Sequence, residues 1–337
     1  MKILYLLSFS SLLLFAACSN DNTNNETAGE EQSLQQPEQQ SNDSTALVKK
    51  EKLTYIQSYD RALSLWKTPF EEKDIRTKYG NAHVIISGAE NAPPLVLLHG
   101  MNASSTMWYP NIIALSSQYR VYAVDFLLEP GKSLCNAEIE GTDAIVSWYM
   151  GIFDELGLKK FSIVGASRGG WLSINIALHA PSRINKIVLL SPAQTFTWII
   201  PNPKILKNIT YTLSPKRKKL RHVLETMTSN VDNISQVFIN QYYIATREAT
   251  VNKCMLQMTP FSEDELRSLK MPVLVLIGDK DIINGKKSME KARRLIPGVQ
   301  TEMISRAGHF LSIDQAEEVN KKVLAFLYTG TSLSVKK

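Results

Sequence analysis

An α/β fold, with a mostly parallel central sheet flanked by helices, is predicted by three features of this chain. Short unbroken apolar runs recur at Leu95–Leu98, Ile187–Leu190 and Val273–Ile277. They lack the alternation of half-exposed strands and suit parallel strands buried on both faces. Segments with helical spacing lie between them. At residues 161–172 a β-branched and aromatic run stops at Gly165, and a helical pattern starts after Gly169 and Gly170. That stretch reads as strand, sharp turn and helix, with Ser167 at the apex.

Composition supports a large domain. The chain has 337 residues, 44% of them hydrophobic, enough for one large α/β domain or two small ones. Its formal net charge of +6 hides an asymmetry: residues 18–45 hold six acidic side chains and no Lys or Arg. The basic excess therefore sits in the remainder, a balance that favours anionic surfaces or substrates. No Lys/Arg stripe interleaves with aromatic residues, which argues against nucleic acid as a partner.

The first 17 residues read as a targeting segment. Lys2 precedes the apolar run Ile3–Phe15, which is too short for a comfortable membrane span. The run ends Leu14-Phe15-Ala16-Ala17-Cys18. Small residues followed at once by cysteine resemble the bacterial lipoprotein signal, with Phe15 where that family prefers leucine. The resemblance implies a protein exported to the bacterial cell envelope, with Cys18 as its lipidated N-terminus. Several acyl chains on one residue anchor stably to a membrane, unlike a single chain. Residues 18–47 are rich in Asn, Gln, Ser, Thr and Glu. Such a composition buries no core and predicts a disordered tether, with a mean reach of roughly 30 Å. Two cysteines remain, Cys135 and Cys254; an exported protein can pair them, but their separation in space is not legible here. No His/Cys cluster has metal-ligand spacing, so neither a metal nor another cofactor is expected.

Ordered structure is expected from Val48. Glu51–Trp66 reads as a helix through Leu53, Ile56, Leu63 and Trp66, and Thr77–Ser87 as a strand pair. After the turn Asn91-Ala92-Pro93-Pro94 comes the first buried strand, ending His99-Gly100-Met101-Asn102. A helix is expected to about Ser117, a strand at Val121–Asp125, a helix at Ile139–Leu156, and then the turn at Ser167. Ile187–Leu190 closes a first core portion, residues 48–192. Strand–helix alternation is lost over residues 193–265, where Pro201 and Pro203 punctuate the chain and Ser214–Arg221 is strongly basic, read as a solvated face. Residues 266–330 form the second core portion. Val273–Ile277 leads to Gly278-Asp279-Lys280-Asp281, and a helix from Lys286 stops at Pro297-Gly298. The strand Thr301–Ile304 leads to Arg306-Ala307-Gly308-His309-Phe310. Asp314 and Glu317 have capping-box spacing, so Asp314 is expected to cap a final helix with Val319, Val323 and Leu327 on its apolar face. Residues 331–337 read as a tail.

The turn at Ser167 matches G-x-S-x-G, a pattern whose glycines let strand and helix nearly touch while the serine is pushed out. A serine hydroxyl becomes a nucleophile when a base takes its proton, and neutral imidazole does this near pH 7. Of five histidines, only His309 follows a late strand in a glycine-hinged loop. The strand ending His99-Gly100-Met101, the Ser104–Trp108 stretch, the elbow and the late Asp and His together resemble the α/β-hydrolase family, over about residues 75–328. Asp125–Ser133 is similar to that family's D-x-x-G-x-G-x-S loop, its first glycine absent. The resemblance implies a helical cap at residues 193–265. It also implies a triad in the chain order Ser167, Asp281, His309, and an oxyanion hole from the backbone N–H groups of Met101 and Arg168. The family pattern G-x-x-D selects Asp281 over Asp279, and a carboxylate next to the strand end already has a role in the turn.

What the resemblance implies about function is acyl transfer to water through an acyl-enzyme on a small-molecule substrate, with carboxylesterase as the default. Thioesterases, carbon–carbon bond hydrolases, peptidases and perhydrolases share these residues, and the fold does not separate them. A serine at the apex argues against the dehalogenase and epoxide hydrolase branches, which place aspartate there. The alternative class is a surface lipoprotein that keeps the fold to bind a ligand or partner without catalysis.

Overall fold

The computed structural model describes residues 54–248 and 258–328. The targeting segment, Cys18, the tether, Cys254 and the tail lie outside them.

Helix α1 (Tyr55–Leu63) begins with a capping box, Thr54 and Gln57 satisfying each other's backbone N–H groups. Strands β1 (Phe70–Thr77) and β2 (Gly80–Ser87) pair as an antiparallel hairpin. The expected strand pair began at Thr77, so β1 was missed. Its Phe-Glu-Glu-Lys-Asp start is exposed and only Ile75 is buried, so no apolar signal marks it. Charged side chains suit a sheet edge. Strand β3 (Pro94–Leu98) is followed by a 3₁₀ turn at Ser105–Trp108 and the short helix α2 (Ile112–Ser116), where one helix to Ser117 was expected. Next come β4 (Arg120–Val124), β5 (Leu134–Cys135) and α3 (Gly141–Glu155). Cys135 is exposed.

Strand β6 (Phe161–Ala166) runs into α4 (Arg168–His179), and β7 (Ile184–Leu190) follows. Helices α5 (Pro203–Leu213), α6 (Arg217–Met227) and α7 (Gln236–Glu248) then interrupt the sheet, and α8 (Glu263–Arg267) leads back to it. The remaining elements are β8 (Val273–Gly278), α9 (Lys286–Leu295), β9 (Gln300–Ile304), α10 (Leu311–Asp314) and α11 (Ala316–Tyr328).

The sheet order is β1-β2-β4-β3-β6-β7-β8-β9, with β5 beside β2. From β4 to β9 every neighbouring pair is parallel, while β2 pairs antiparallel with β1, β4 and β5. Burial on both faces explains the unbroken apolar runs. Val96 and Leu98 face a core built with Phe153, Leu172 and Met289; Leu95 and Leu97 face another built with Leu63, Leu115 and Val323. The chain leaves β3 to one side for β4, then crosses to the other side for β6. In parallel sheets such a reversal opens a crevice at the carboxyl ends of the two strands. His99-Gly100-Met101 and Ser167 lie at those two ends.

Asp314 does not cap α11. It ends α10, and its buried carboxylate accepts the N–H groups of Gly308 (2.7 Å) and Ser229 (2.8 Å) and the hydroxyl of Thr228. The spacing to Glu317 was met, but these donors, two of them far off in sequence, hold the carboxylate. Asp314 thus ties the loop before His309 to the segment that follows α6.

Candidate active site

Backbone geometry sets the nucleophile candidate apart. Ser167 has φ 51° and ψ −114°, a positive φ that L-residues rarely adopt. The turn closes only because its neighbours lack side chains. A Cβ on Gly165 would lie 2.3 Å from the Gly169 carbonyl oxygen, and one on Gly169 would lie 2.0 Å from the Leu98 carbonyl oxygen. The Ser167 N–H donates to the Leu190 carbonyl (2.9 Å), pinning the apex to the end of β7. Ser167 remains partly exposed while Ala166 and Arg168 on either side are buried.

Three residues from separate loops meet there. Ser167 Oγ lies 2.9 Å from His309 Nε2, and His309 Nδ1 lies 3.0 Å from Asp281 Oδ1. One proton arrangement satisfies all of them: Nδ1–H donates to the carboxylate, and the serine hydroxyl donates to Nε2. The Asp281 side chain is fully buried, and burial by itself raises its pKa. The facing imidazole, together with the Ile283 N–H (2.8 Å) and the Asn284 side-chain amide (3.1 Å), outweighs burial and holds the carboxyl below its ordinary value. Asp279 stands elsewhere. It is exposed, and its Oδ1 accepts the Ala307 N–H (3.1 Å), which braces the loop that carries His309.

Of the two backbone donors expected around an oxyanion, Arg168 directly follows this serine and Met101 lies just past the end of β3. Arg168 is the first residue of α4, where backbone N–H groups have no partner within the helix. Met101 follows Gly100, whose hypothetical Cβ would sit 3.3 Å from Ser167 Cβ, so the end of β3 abuts the elbow.

Sequence reading missed Glu129. Its side chain is fully buried, pairs with the buried guanidinium of Arg168, and accepts the Asn102 N–H through Oε2 (2.8 Å). One carboxylate thereby joins the segment after Met101 to the first residue of α4. Burial pushes the guanidinium pKa down, while the adjacent carboxylate and the face of the Phe126 ring, 4.7 Å away, favour its charge. The available signal was a carboxylate beside the missing first glycine of D-x-x-G-x-G-x-S, since a charge in an otherwise apolar loop segment needs a partner. Asp125 and Ser133 organise the same loop. Asp125 accepts the N–H groups of Ser105 and Lys132 (2.8 Å each), and Ser133 donates to the Asp125 carbonyl (2.6 Å).

His99 is structural. Its Nδ1 lies 2.9 Å from the Gly100 carbonyl and its Nε2 accepts the Phe126 N–H (2.9 Å), which uses both nitrogens of the neutral ring. Burial, with Arg168 nearby, pushes its pKa down to about 4 against the attraction of Asp125. In the unfolded chain the ring takes up a proton near pH 6.5. As pH falls from about 6.5 to 4, the unfolded state therefore binds the proton first and stability drops, on the order of 3 kcal/mol in all. Above that window the contribution is flat. Nitrogen-15 spectra at pH 5 should show His99 still neutral, with the proton on Nδ1; an imidazolium signal there would contradict this account.

Comparison with known proteins places these features in a family. A family model for the alpha/beta hydrolase fold matches residues 93–214. Carboxylesterase YbfK of Bacillus subtilis strain 168 is 35% identical over 285 residues, covering 82% of this chain and 95% of that protein. The crystal structure of naproxen esterase (carboxylesterase NP) from Bacillus subtilis superposes with a TM-score of 0.76 at 34% identity, covering 81% of this chain and 96% of the other. The YbfK crystal structure gives a TM-score of 0.75 at 35% identity, with 82% and 98% covered.

Proposed function

Because the chain belongs to the α/β-hydrolase family and is a carboxylesterase-like hydrolase, we propose that Ser167, His309 and Asp281 form its catalytic triad and cleave esters of small acyl groups through an acyl-enzyme. The observation that carries this reading is the hydrogen-bonded line from Asp281 through His309 to Ser167.

In this mechanism Ser167 Oγ attacks the ester carbon as His309 Nε2 takes its proton. Asp281 keeps the ring's other proton on Nδ1 and stabilises the imidazolium that forms. The N–H groups of Met101 and Arg168 donate hydrogen bonds to the developing oxyanion. Collapse of the tetrahedral intermediate expels the alcohol, which takes the proton from Nε2. Water then attacks the acyl-serine with His309 as base, and the carboxylic acid leaves. A fluorophosphonate probe should label Ser167 in the folded protein, and the same protein should turn over a panel of short acyl esters. Failure to label would favour the alternative of a binding protein without catalysis. An ester of naproxen belongs in the panel because of the similarity to naproxen esterase.

Glu129 acts in this scheme as a positioning residue, since it fastens the two segments that supply the oxyanion donors. Glu129→Gln should leave Arg168 buried without its counter-charge, at a cost of about 3–5 kcal/mol in stability. In the protein that remains folded, kcat should fall by about tenfold to a hundredfold with KM nearly unchanged, because a small displacement of the donors matters only as the oxyanion forms. A rise in KM at constant kcat would assign Glu129 to substrate binding instead.

The reading extends to location. We propose that Cys18 carries lipid and holds the enzyme to a bacterial membrane, on the strength of Ala16-Ala17-Cys18 after the apolar run. Radiolabelled fatty acid should enter the wild-type protein in a lipoprotein-processing host and not Cys18→Ala. An unlabelled wild type would refute the anchor.

A further inference from the structure

The segment from Trp198 to Arg221 combines exposed apolar side chains with an unbroken basic character. Trp198 is 62% exposed, Ile200 70%, Leu206 49% and Leu213 53%. Within α5, Leu206, Thr210 and Leu213 are four and seven residues apart and share one face, while Ile205 and Tyr211 are buried. Trp198 and Ile200 lead directly into the start of that helix. Its end runs into the short connection Ser214–Lys216, and α6 opens at Arg217. The two helices form a hairpin, joined by Asn208 Nδ2 donating to Thr226 Oγ1 (2.8 Å) and by the buried Leu220, Val223 and Leu224. Residues 193–224 hold seven Lys and Arg side chains and no acidic one. Arg217 and Arg221 are engaged within the protein, with Asn240 and with Glu225 and Asp232. The five lysines, Lys204, Lys207, Lys216, Lys218 and Lys219, are exposed.

We propose that this hairpin and its Trp198–Ile200 leader dock the protein on an anionic phospholipid bilayer. Charge complementarity selects the occupant. Basic side chains beside exposed apolar ones match a surface that is anionic at the headgroups and apolar beneath them. Tryptophan at such a boundary keeps its ring at headgroup depth. A second copy of this chain would set cations against cations in a self-complementary contact. Dissolved polyanions would meet the lysines and leave Trp198, Ile200, Leu206 and Leu213 in water. The docking is independent of the lipid proposed on Cys18 and of the hydrolytic chemistry.

The full chain with Cys18→Ala tests this without any lipid at that position. All five tryptophans lie at residues 66, 108, 148, 171 and 198, and the other four are between 1% and 6% exposed. Emission changes on adding vesicles therefore report Trp198 and not the tryptophan-free apolar run Ile3–Phe15. With phosphatidylcholine vesicles containing phosphatidylglycerol, emission should shift to the blue and be quenched by brominated acyl chains. The effect should weaken with salt. Pure phosphatidylcholine should give little change. Lys216→Gln, Lys218→Gln and Lys219→Gln together should lower partitioning on the order of a hundredfold. Trp198→Ser should abolish the quenching, and turnover of a soluble short ester should be unchanged in both variants. Unchanged Trp198 emission with anionic vesicles overturns the proposal, as does an equal Trp198 shift with neutral ones. Binding to a dissolved polyanion such as heparin without any vesicle-dependent shift would overturn it too.

Discussion

Ser167→Ala is expected to leave a folded protein whose hydrolysis of p-nitrophenyl acetate falls by roughly four to six powers of ten. The loss is large because the proposed intermediate is covalent at Ser167 Oγ, and residual turnover then rests on the oxyanion donors and binding alone. Stability should barely change. The Ser167 side chain does not cap α4, and its hydroxyl faces His309. The positive φ at this position burdens serine and alanine alike. Ester turnover by the variant, followed beside its thermal unfolding, checks both halves. Near-wild-type rates from a folded variant would remove Ser167 from the mechanism.

Asp281→Asn should lower kcat by about four powers of ten while the fold persists. An amide nitrogen facing His309 Nδ1 donates where the carboxylate accepts. The ring then carries its proton on Nε2, and Ser167 faces a donor instead of a base. Asp279→Asn is the control. Its carboxylate accepts the Ala307 N–H at an exposed position, so activity should stay within a few-fold of wild type, with a small loss of stability. Equal losses from both variants would mean that the loop, not the Asp281 charge, is what matters. The depressed pKa of Asp281 also has a pH consequence. Its contribution to stability and to the ring's tautomer is present above the ordinary carboxylate range and is lost only as pH falls through its lowered folded value. An acid limb of activity near neutral pH therefore does not originate at Asp281.

How far the sequence carried these conclusions differs from element to element. The strands β3, β6, β7 and β8 were legible because burial on both faces leaves unbroken apolar runs, and the elbow because two close backbone approaches admit only glycine. Strand β1 was not, since an exposed, charged edge strand has no apolar periodicity to read. At Asp314 the sequence pattern misled: D-x-x-E spacing is necessary for a capping box, but the carboxylate went to donors on another segment.

By itself, then, the chain determined which segments become buried parallel strands and where a serine is forced outward. Those properties reside in the local period and in side chains a few residues apart. Only the tertiary structure decided which groups meet. Ser167 and His309 are 142 residues apart, Asp281 and His309 are 28 apart, and Glu129 and Arg168 are 39 apart. Such pairings depend on the order in which the strands lie side by side, which brings the ends of β3, β6 and β8 to one edge of the sheet. Periodicity along the chain carries no record of that order, because it reports which face a residue presents and not which loop lies opposite.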